Sequence, residues 1–258
     1  MSRHRKGIEV LFAPAESAAL GLRSLRNKFC VVFDVLRATS TMVTALANGA
    51  TCVIPVAEIG EALALREADS KLLLAGERNG LRIASSLTGS IAFDLGNSPR
   101  EFTADRVQGR RIAMTTTNGT RALRACTHAQ QVLIASFLNL RATAQHLLGE
   151  SPSQLLLICS GTYEEAAYED ELAAGALCDL VWSDYEAGAV ADSASMARRL
   201  YRLEFNDLEA GLAGSRNGRR LLGLPELQAD VAYCAQTDVL TLVAKMDQDG
   251  AIRVLQAG

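Results

Sequence analysis

The sequence has few aromatic residues and few histidines. Phe, Tyr and Trp make up 5% of the 258 residues, so a core must be filled mainly by Ala, Leu, Val and Ile. The three histidines, His4, His128 and His146, stand outside the polar motifs of the chain. Because a zinc cluster or a histidine nucleophile needs such residues beside other polar groups, we expect neither.

Long hydrophobic runs and an excess of positive charge are also missing. The first apolar run covers only Ile8 to Phe12, and none approaches the roughly 20 residues that span a bilayer. The net charge is -3, and no basic stripe with interleaved aromatic residues suggests a nucleic-acid-binding surface. These absences predict a cytoplasmic protein that binds neither membranes nor nucleic acid.

The six cysteines form no C-x-x-C pair, and several enzyme signatures are absent. Cys30, Cys52 and Cys159 lie in or beside apolar runs, which predicts small buried side chains in a reducing compartment. Cys159 is the one cysteine that we would test as a nucleophile, but Glu165 stands where a Cys-x₅-Arg phosphatase has its arginine. The paired aspartates of haloacid dehalogenases, the phosphate loop and the serine nucleophile elbow are also missing.

Short aliphatic runs alternate with helical patterns over most of the chain. The predicted strands cover residues 30–35, 52–56, 72–75, 112–115, 132–135 and 155–159. The predicted helices between them cover residues 41–48, 58–68, 120–125, 141–149 and 169–183. Continuously apolar strands separated by helices predict the α/β class, with a layered α/β/α arrangement around a largely parallel or mixed sheet.

The pattern changes after residue 183. Helices are predicted over 189–203 and 208–222, and strands over 231–234, 239–245 and 251–255. These segments either complete the sheet or form a lobe of helices and extra strands from about residue 184. Because no linker rich in Pro, Gly or Ser separates them, we predict one compact domain over residues 1–258.

Polar motifs follow four of the predicted strands, where ligands bind in parallel sheets. The first contains Asp34, Arg37 and the hydroxyl residues Thr39, Ser40 and Thr41. A carboxylate at the end of an apolar strand is costly unless it is paired or binds a cation, and a guanidinium group can grip an oxyanion. The motif therefore predicts metal and substrate binding. The alternative is a capped helix with an ion pair between Asp34 and Arg37.

The densest run of hydroxyl and amide side chains follows the fourth strand. It consists of Thr115, Thr116, Thr117, Asn118, Gly119 and Thr120. A glycine followed by a helix start would let the backbone approach an anion closely, so the run predicts a phosphate-binding loop. The alternative is a simple helix cap, which Thr and Asn also form.

Further carboxylates and donors follow other strands. Glu77 and Arg78 lie between two glycines, and Glu169 and Asp170 lie beyond the sixth strand. Mg²⁺ takes oxygen ligands and keeps several waters, so one or two carboxylates suffice. We expect Asp34 and Glu77 to be the leading Mg²⁺ ligands. Glu169 and Asp170 are further candidates, although acidic residues also open helices.

Weaker candidates for substrate binding are Asn97, Ser98, Ser160 and Gly161. Ser98 also precedes a proline, which is a pattern typical of a helix start.

These motifs resemble the ComB family, the 2-phosphosulfolactate phosphatases. The similar segments are 33–41, 75–80, 95–99 and 115–120, and the resemblance runs from about residue 8 to 240. It implies an α/β fold, a homodimer and Mg²⁺-dependent hydrolysis of 2-phospho-3-sulfolactate to 3-sulfolactate and phosphate. In methanogens that reaction feeds coenzyme M biosynthesis. The loop between Gly161 and Glu169 departs from the family pattern.

A substrate with a phosphate, a sulfonate and a carboxylate agrees with the residues above. Arg37, Arg78 and the 115–120 loop would supply donors, and Asp34, Glu77 and Arg37 would act in catalysis. Two alternatives stay open: another phosphate-ester enzyme on the same fold, and a non-catalytic anion-binding protein. Carboxylates beside the anion loop argue against the second alternative.

Overall fold

The computed structural model describes residues 6–22 and 24–256. Within them, eleven strands form one sheet. In chain order, β1 to β11 are Gly7–Leu11, Phe29–Phe33, Cys52–Pro55, Leu73–Arg78, Leu81–Arg82, Arg111–Thr115, Gln131–Ala135, Gln154–Cys159, Ala189–Val190, Ala244–Met246 and Ile252–Val254. Their order across the sheet is β5-β4-β6-β3-β11-β10-β7-β2-β8-β1-β9. The α/β class and all six predicted strands before residue 160 are confirmed.

Twelve α-helices flank the sheet within the described ranges. In chain order, α1 to α12 are Pro14–Ala18, Ala38–Ala47, Ile59–Ala68, Ser85–Thr88, Ala104–Val107, Gly119–Ala125, Leu140–Glu150, Tyr168–Tyr185, Asp192–Glu204, Leu208–Gly214, Arg216–Leu222 and Ala229–Cys234. Short 3₁₀ turns cover Ala19–Leu22, Pro99–Glu101 and Phe137–Asn139. None of the helices described is long and apolar enough to cross a membrane.

Strand direction divides the sheet into two parallel blocks. The first block contains β1, β2, β7, β8 and β9, and the second contains β3, β4 and β6. The hairpin of β10 and β11 joins β7 to β3 through antiparallel pairs at every step. The two blocks therefore run in opposite directions. The sequence had suggested that the polar motifs lie at one edge of a single parallel sheet. They instead follow strands of two blocks that run in opposite directions.

Helix α2 brings the two blocks together. Its apolar side chains pack in one cluster with residues of β2 and β7 from the first block and of β3 and β6 from the second. The opposite face of the first block is covered by α7, α8 and α9, and that of the second block by α3. Helix α2 thus packs against both blocks, and loops at the carboxyl ends of both blocks line a common cleft.

The C-terminal predictions were only partly correct. Residues 231–234, predicted as a strand, belong to α12, where Asp230, Val231 and Cys234 are buried at helical spacing. A run of four apolar residues cannot distinguish a strand from a buried helix turn. The strand predicted over 239–245 is reduced to Ala244–Met246, whereas 251–255 does contain β11. The long helix predicted over 208–222 is broken at Ser215.

Candidate active site

An open cleft with a volume of about 230 Å³ lies where the two blocks meet. Loops that follow β2, β4, β6 and β8 line it, together with α11. Of the residues predicted from sequence, nine line the cleft: Asp34, Arg37, Glu77, Arg78, Asn97, Thr116, Thr117, Asn118 and Gly161. The strand-end rule therefore holds within each block.

Asp34 is a half-buried carboxyl group directly after β2. Its Oδ1 accepts a hydrogen bond from the Ala38 N–H at 3.0 Å, while Oδ2 has no donor among the described residues. Burial, together with the nearby carboxylates of Glu77 and Glu169, raises the pKa of Asp34 to about 7, although the Ala38 N–H and Arg37 act to lower it. The ionised form of Asp34 is therefore short of compensating charge.

Glu77 ties the loop after β6 to the turn after β4. Its Oε1 accepts hydrogen bonds from the Thr117 N–H at 3.0 Å and the Thr117 hydroxyl at 2.9 Å. Its Oε2 accepts one from the Gly80 N–H at 2.7 Å. Glu77 is buried, so these three bonds replace the water that its carboxylate would otherwise bind. The shape of the cleft wall depends on this carboxylate.

Arg37 is buried and pairs with Asp230 rather than with Asp34. Its Nη1 donates to Asp230 Oδ2 at 2.7 Å, and its Nη2 donates to the Gly80 carbonyl at 2.8 Å. The Ser98 hydroxyl donates to the other oxygen of Asp230 at 2.7 Å. The side chains of Arg37 and Asp230 are 3% and 0% exposed, so the pair is shielded from water. Ser98 supports this pair and does not line the cleft.

The loop after β6 divides between the cleft and the interior. Thr116 and Asn118 line the cleft, whereas Thr115 donates to the Ala57 carbonyl at 3.0 Å and Thr120 to the Thr116 carbonyl at 3.1 Å. The Asn118 side chain does not cap α6. Its Nδ2 donates instead to the Gly161 carbonyl at 2.9 Å, which joins the loops after β6 and β8.

Gly119 lies against Asp34 rather than in the cleft lining. A Cβ atom at this position would be 2.7 Å from Asp34 Oδ2 and 2.8 Å from the Ala38 Cβ. The glycine therefore allows α6 to begin beside the carboxylate that follows β2.

Thr39, Ser40 and Thr41 lie inside the protein and outside the cleft lining. Every residue of α2 from Ala38 to Leu46 is buried, and none is charged. The three hydroxyls donate to the carbonyls of Asp34, Val35 and Asn97 at distances of 2.8–3.0 Å. Hydroxyl groups suit a helix that is buried on all sides, because each can bond to a nearby carbonyl.

Five buried side-chain oxygens among the described residues have no hydrogen-bond partner. Three of them, Asn97 Oδ1, Thr116 Oγ1 and Asn118 Oδ1, belong to residues that line the cleft. A fourth, Ser160 Oγ, lies in a small cavity that shares Asn118 with the cleft. Because buried polar atoms are nearly always paired, this concentration marks the cleft as a place for a bound group.

Glu169 and Asp170 are buried behind the cleft lining. The two oxygens of Asp170 accept the N–H groups of Val35 at 2.7 Å and Gly161 at 3.2 Å, and Glu169 Oε1 accepts from Asn217 Nδ2 at 2.5 Å. Burial raises the pKa of both carboxyl groups. Within the described residues, no group of three or more His, Cys, Asp or Glu side chains is arranged to hold a metal ion.

Cys159 is fully buried, like the other five cysteines, and does not line the cleft. Burial raises the pKa of its thiol well above the ordinary value, and the Asp170 carboxylate raises it further. A neutral, enclosed thiol is a poor nucleophile, so the interpretation as a small buried side chain holds.

Eight lining residues were not predicted from the sequence, and most of them come from α11 or from the loop after β8. The additional lining residues are Leu36, Asn79, Gly80, Thr162, Tyr163, Asn217, Arg220 and Leu221. Asn217 donates to Thr162 Oγ1 at 2.6 Å as well as to Glu169. The available signal was the cluster of arginines at 216, 219 and 220 in a predicted helix.

Comparison with known proteins assigns this arrangement to a family. The family model described as 2-phosphosulpholactate phosphatase matches residues 18–249. The chain belongs to the 2-phosphosulpholactate phosphatase family. That family consists of phosphoric monoester hydrolases, and the cleft lies within the matched residues. The predicted resemblance is confirmed.

Several curated relatives carry the name "Probable 2-phosphosulfolactate phosphatase". The protein of Caldicellulosiruptor saccharolyticus is 36% identical over 86% of this chain and 90% of its own length. That of a Synechococcus strain is 40% identical over 87% of this chain and 91% of its own. That of Pseudothermotoga lettingae is 38% identical over 95% of this chain and 98% of its own. The similarity to this phosphatase family thus covers nearly whole proteins.

Proposed function

We propose that this chain is a Mg²⁺-dependent phosphatase that hydrolyses 2-phospho-3-sulfolactate to 3-sulfolactate and inorganic phosphate. The main support is the cleft of a family member in which a half-buried carboxyl group, three arginines and three unpaired buried oxygens come together. The substrate is the one that the names of its relatives carry.

The residues of the cleft fit a hard cation. Asp34 Oδ2 lacks a donor among the described residues, and the buried Thr116 Oγ1 and Asn118 Oδ1 lack partners. All three are oxygen atoms, the ligand type that Mg²⁺ takes, and Mg²⁺ usually keeps several waters besides. We therefore assign Asp34, with Thr116 and Asn118, as the residues that would hold it. When bound, Mg²⁺ polarises a phosphoryl group and lowers the pKa of a nearby water.

Glu77, Glu169 and Asp170 stay predictions as metal ligands. The oxygens of Glu77 already accept three hydrogen bonds, and both oxygens of Asp170 accept backbone N–H groups. Their contacts support a positioning role: Glu77 shapes the wall that carries Thr117, and Asp170 holds the loops after β2 and β8 together.

Arg37 and Arg78 would meet the charge of the phosphoryl group. A guanidinium group has five N–H donors, and each of these residues uses two of them in bonds to the protein. Because those bonds fix both guanidinium groups before substrate arrives, the remaining donors can stabilise developing charge without reorganising. This arrangement agrees with hydrolysis more than with anion storage, since Asp34 would repel a merely bound phosphate.

The test is phosphate release from 2-phospho-3-sulfolactate by the purified chain, measured for wild type, Asp34→Asn and Asp249→Asn. Asp249 forms an exposed ion pair at the β10–β11 turn and serves as the matched control. We expect Asp34→Asn to lose most of its turnover and the control to match wild type. No release above background by wild type would refute the proposed function.

The predicted homodimer, cytoplasmic location and absence of a nucleic-acid partner stay predictions. Light scattering on the purified protein would measure its mass in solution and thereby test the dimer.

A further inference from the structure

One arginine of the cleft has no hydrogen-bond or ion-pair partner among the described residues. Arg37 pairs with Asp230, and Arg78 donates to the Glu77 carbonyl at 2.7 Å and to Thr115 Oγ1 at 3.1 Å. Arg220 also lines the cleft, is exposed, and forms no hydrogen bond or ion pair with any residue that the structure describes. Its positive charge is therefore available to a group that comes from outside.

The helix that carries Arg220 is held in a defined place. Asn217, Arg220 and Leu221 line the cleft from α11, and their spacing of three and four residues puts them on one face. The Ser215 hydroxyl accepts the Gly218 N–H at 2.9 Å at the start of the helix. Asn217 bonds to Thr162 and Glu169 as described above. Arg220 thus extends from a fixed support.

Arg220 lies next to the turn that organises the other charged groups. A Cβ atom at Gly80 would be 3.6 Å from Arg220 Nη2 and 3.7 Å from its Cζ. The Gly80 carbonyl accepts from Arg37, and its N–H donates to Glu77. The guanidinium group of Arg220 is therefore separated from that of Arg37 by a single residue without a side chain. Two anionic groups of one small molecule could reach both arginines.

We infer that Arg220 binds the second anionic group of the substrate and so selects phosphate esters that carry a carboxylate or sulfonate near the phosphate. The inference rests on the proposed function. A planar guanidinium fork suits an oxyanion with two or three oxygens. Arg220 can bind such a group without first breaking a hydrogen bond to another described residue. Arg37 and Arg78, which the sequence predicted as donors to the substrate, already have partners in the protein.

The experiment compares three substrates on Arg220→Gln and wild type. They are 2-phospho-3-sulfolactate, 2-phospholactate, which lacks the sulfonate, and 2-phosphooxypropane-1-sulfonate, which lacks the carboxylate. For the full substrate, kcat/KM should fall roughly 10- to 100-fold in the variant, the scale of one charge-assisted contact. The substrate that lacks the anion bound by Arg220 should lose much less, and this difference tells which anion is bound.

Arg219→Gln is the matched control on the same helix. Arg219 is exposed, donates to the Gly214 carbonyl and does not line the cleft, so its replacement should leave all three kcat/KM values near wild type. Arg220→Lys should recover part of the loss, because it restores the charge without the fork. Equal losses on all three substrates, or no loss on the full substrate, would overturn the inference.

A binding measurement separates this inference from the proposed function. Titration calorimetry of 3-sulfolactate and of lactate needs no turnover. We expect 3-sulfolactate to bind wild type more tightly than Arg220→Gln by a similar roughly 10- to 100-fold factor. If wild type shows no phosphatase activity but this difference appears, the proposed function fails and the inference about Arg220 stands. If wild type hydrolyses the phosphate ester normally and both proteins bind 3-sulfolactate equally, the proposed function stands and the inference about Arg220 fails.

Discussion

Replacement of Asp230 by Asn should destabilise the protein strongly, although the two side chains have nearly the same size. The change leaves the Arg37 guanidinium buried without its counter-charge, while Ser98 keeps an acceptor. Removal of one partner of a buried ion pair costs about 3–5 kcal/mol, because the other charge is then uncompensated. For a chain of this size, about 2–4 °C of Tm per kcal/mol gives a decrease of roughly 6–20 °C.

The control is Asp249→Asn, which breaks an exposed pair. The side chains of Arg253 and Asp249 are 38% and 58% exposed, so this pair contributes at most about 1 kcal/mol. Thermal unfolding followed by circular dichroism measures both variants under one set of conditions. If Asp230→Asn had the same Tm as the Asp249→Asn control, the reasoning about the buried pair would be refuted.

A double variant distinguishes lost charge compensation from lost packing. Replacement of the whole pair, with Arg37→Met and Asp230→Leu together, should recover much of the stability that Asp230→Asn loses, because apolar groups often replace buried ion pairs without penalty. Phosphatase activity should stay low in both, because Arg37 no longer has its charge or its position. A double variant less stable than Asp230→Asn would mean that the cavity shape, and not the charge, governs the site.

Three further results are expected. Removal of divalent metal with EDTA should abolish phosphate release and added Mg²⁺ should restore it; full activity in metal-free protein would exclude the metal. Gly119→Ala should lower kcat/KM by at least about tenfold, since its methyl group would displace the Asp34 carboxylate, which lies 2.7 Å from the new atom; unchanged kinetics would show that Asp34 can move freely. Asp94→Asn should lower Tm at neutral pH and less in acid. Burial acts to raise the pKa of Asp94, but hydrogen bonds from Arg66 and the Leu74 N–H lower it below the ordinary value of 3.8. The ionised Asp94 therefore stabilises the fold above pH 3.8, and this stabilisation is lost as the pH falls through the lower pKa of the folded state. A Tm difference between Asp94→Asn and wild type that does not change with pH would contradict this assignment.

Six of the eight strands before residue 160 could be predicted because each contains an apolar run that is largely buried on both faces; β1 and the exposed, two-residue β5 were not predicted. Residues of β2 show this directly: Phe29, Val31 and Phe33 pack on one side of the sheet, and Cys30 and Val32 on the other. The opposite directions of the two blocks could not be predicted. They depend on the pairing of β10 with β7 and of β11 with β3, which joins segments more than a hundred residues apart.

The cleft residues that follow strand ends could be predicted from the sequence, whereas those on helix α11 could not. Asp34, Glu77 and Asn118 were accessible to the strand-end rule. Arg220 was not, because the cluster that it forms with Arg216 and Arg219 on a predicted helix is equally typical of an ordinary exposed, charged helix face. The hydroxyls of α2, predicted to bind substrate, donate to carbonyls inside the protein and do not line the cleft, because the same residue types that bind anions also satisfy carbonyls in a buried helix.

The hairpin of β10 and β11 has a consequence for the order in which the protein matures. Asp34 belongs to one block and Glu77 to the other, and the sheet is continuous between them only through residues 244–254. A ribosome must therefore release residues 244–254 before the two blocks of the sheet can be joined edge to edge. Until then, a nascent chain would carry every cleft residue discussed above and still lack the framework that holds them together.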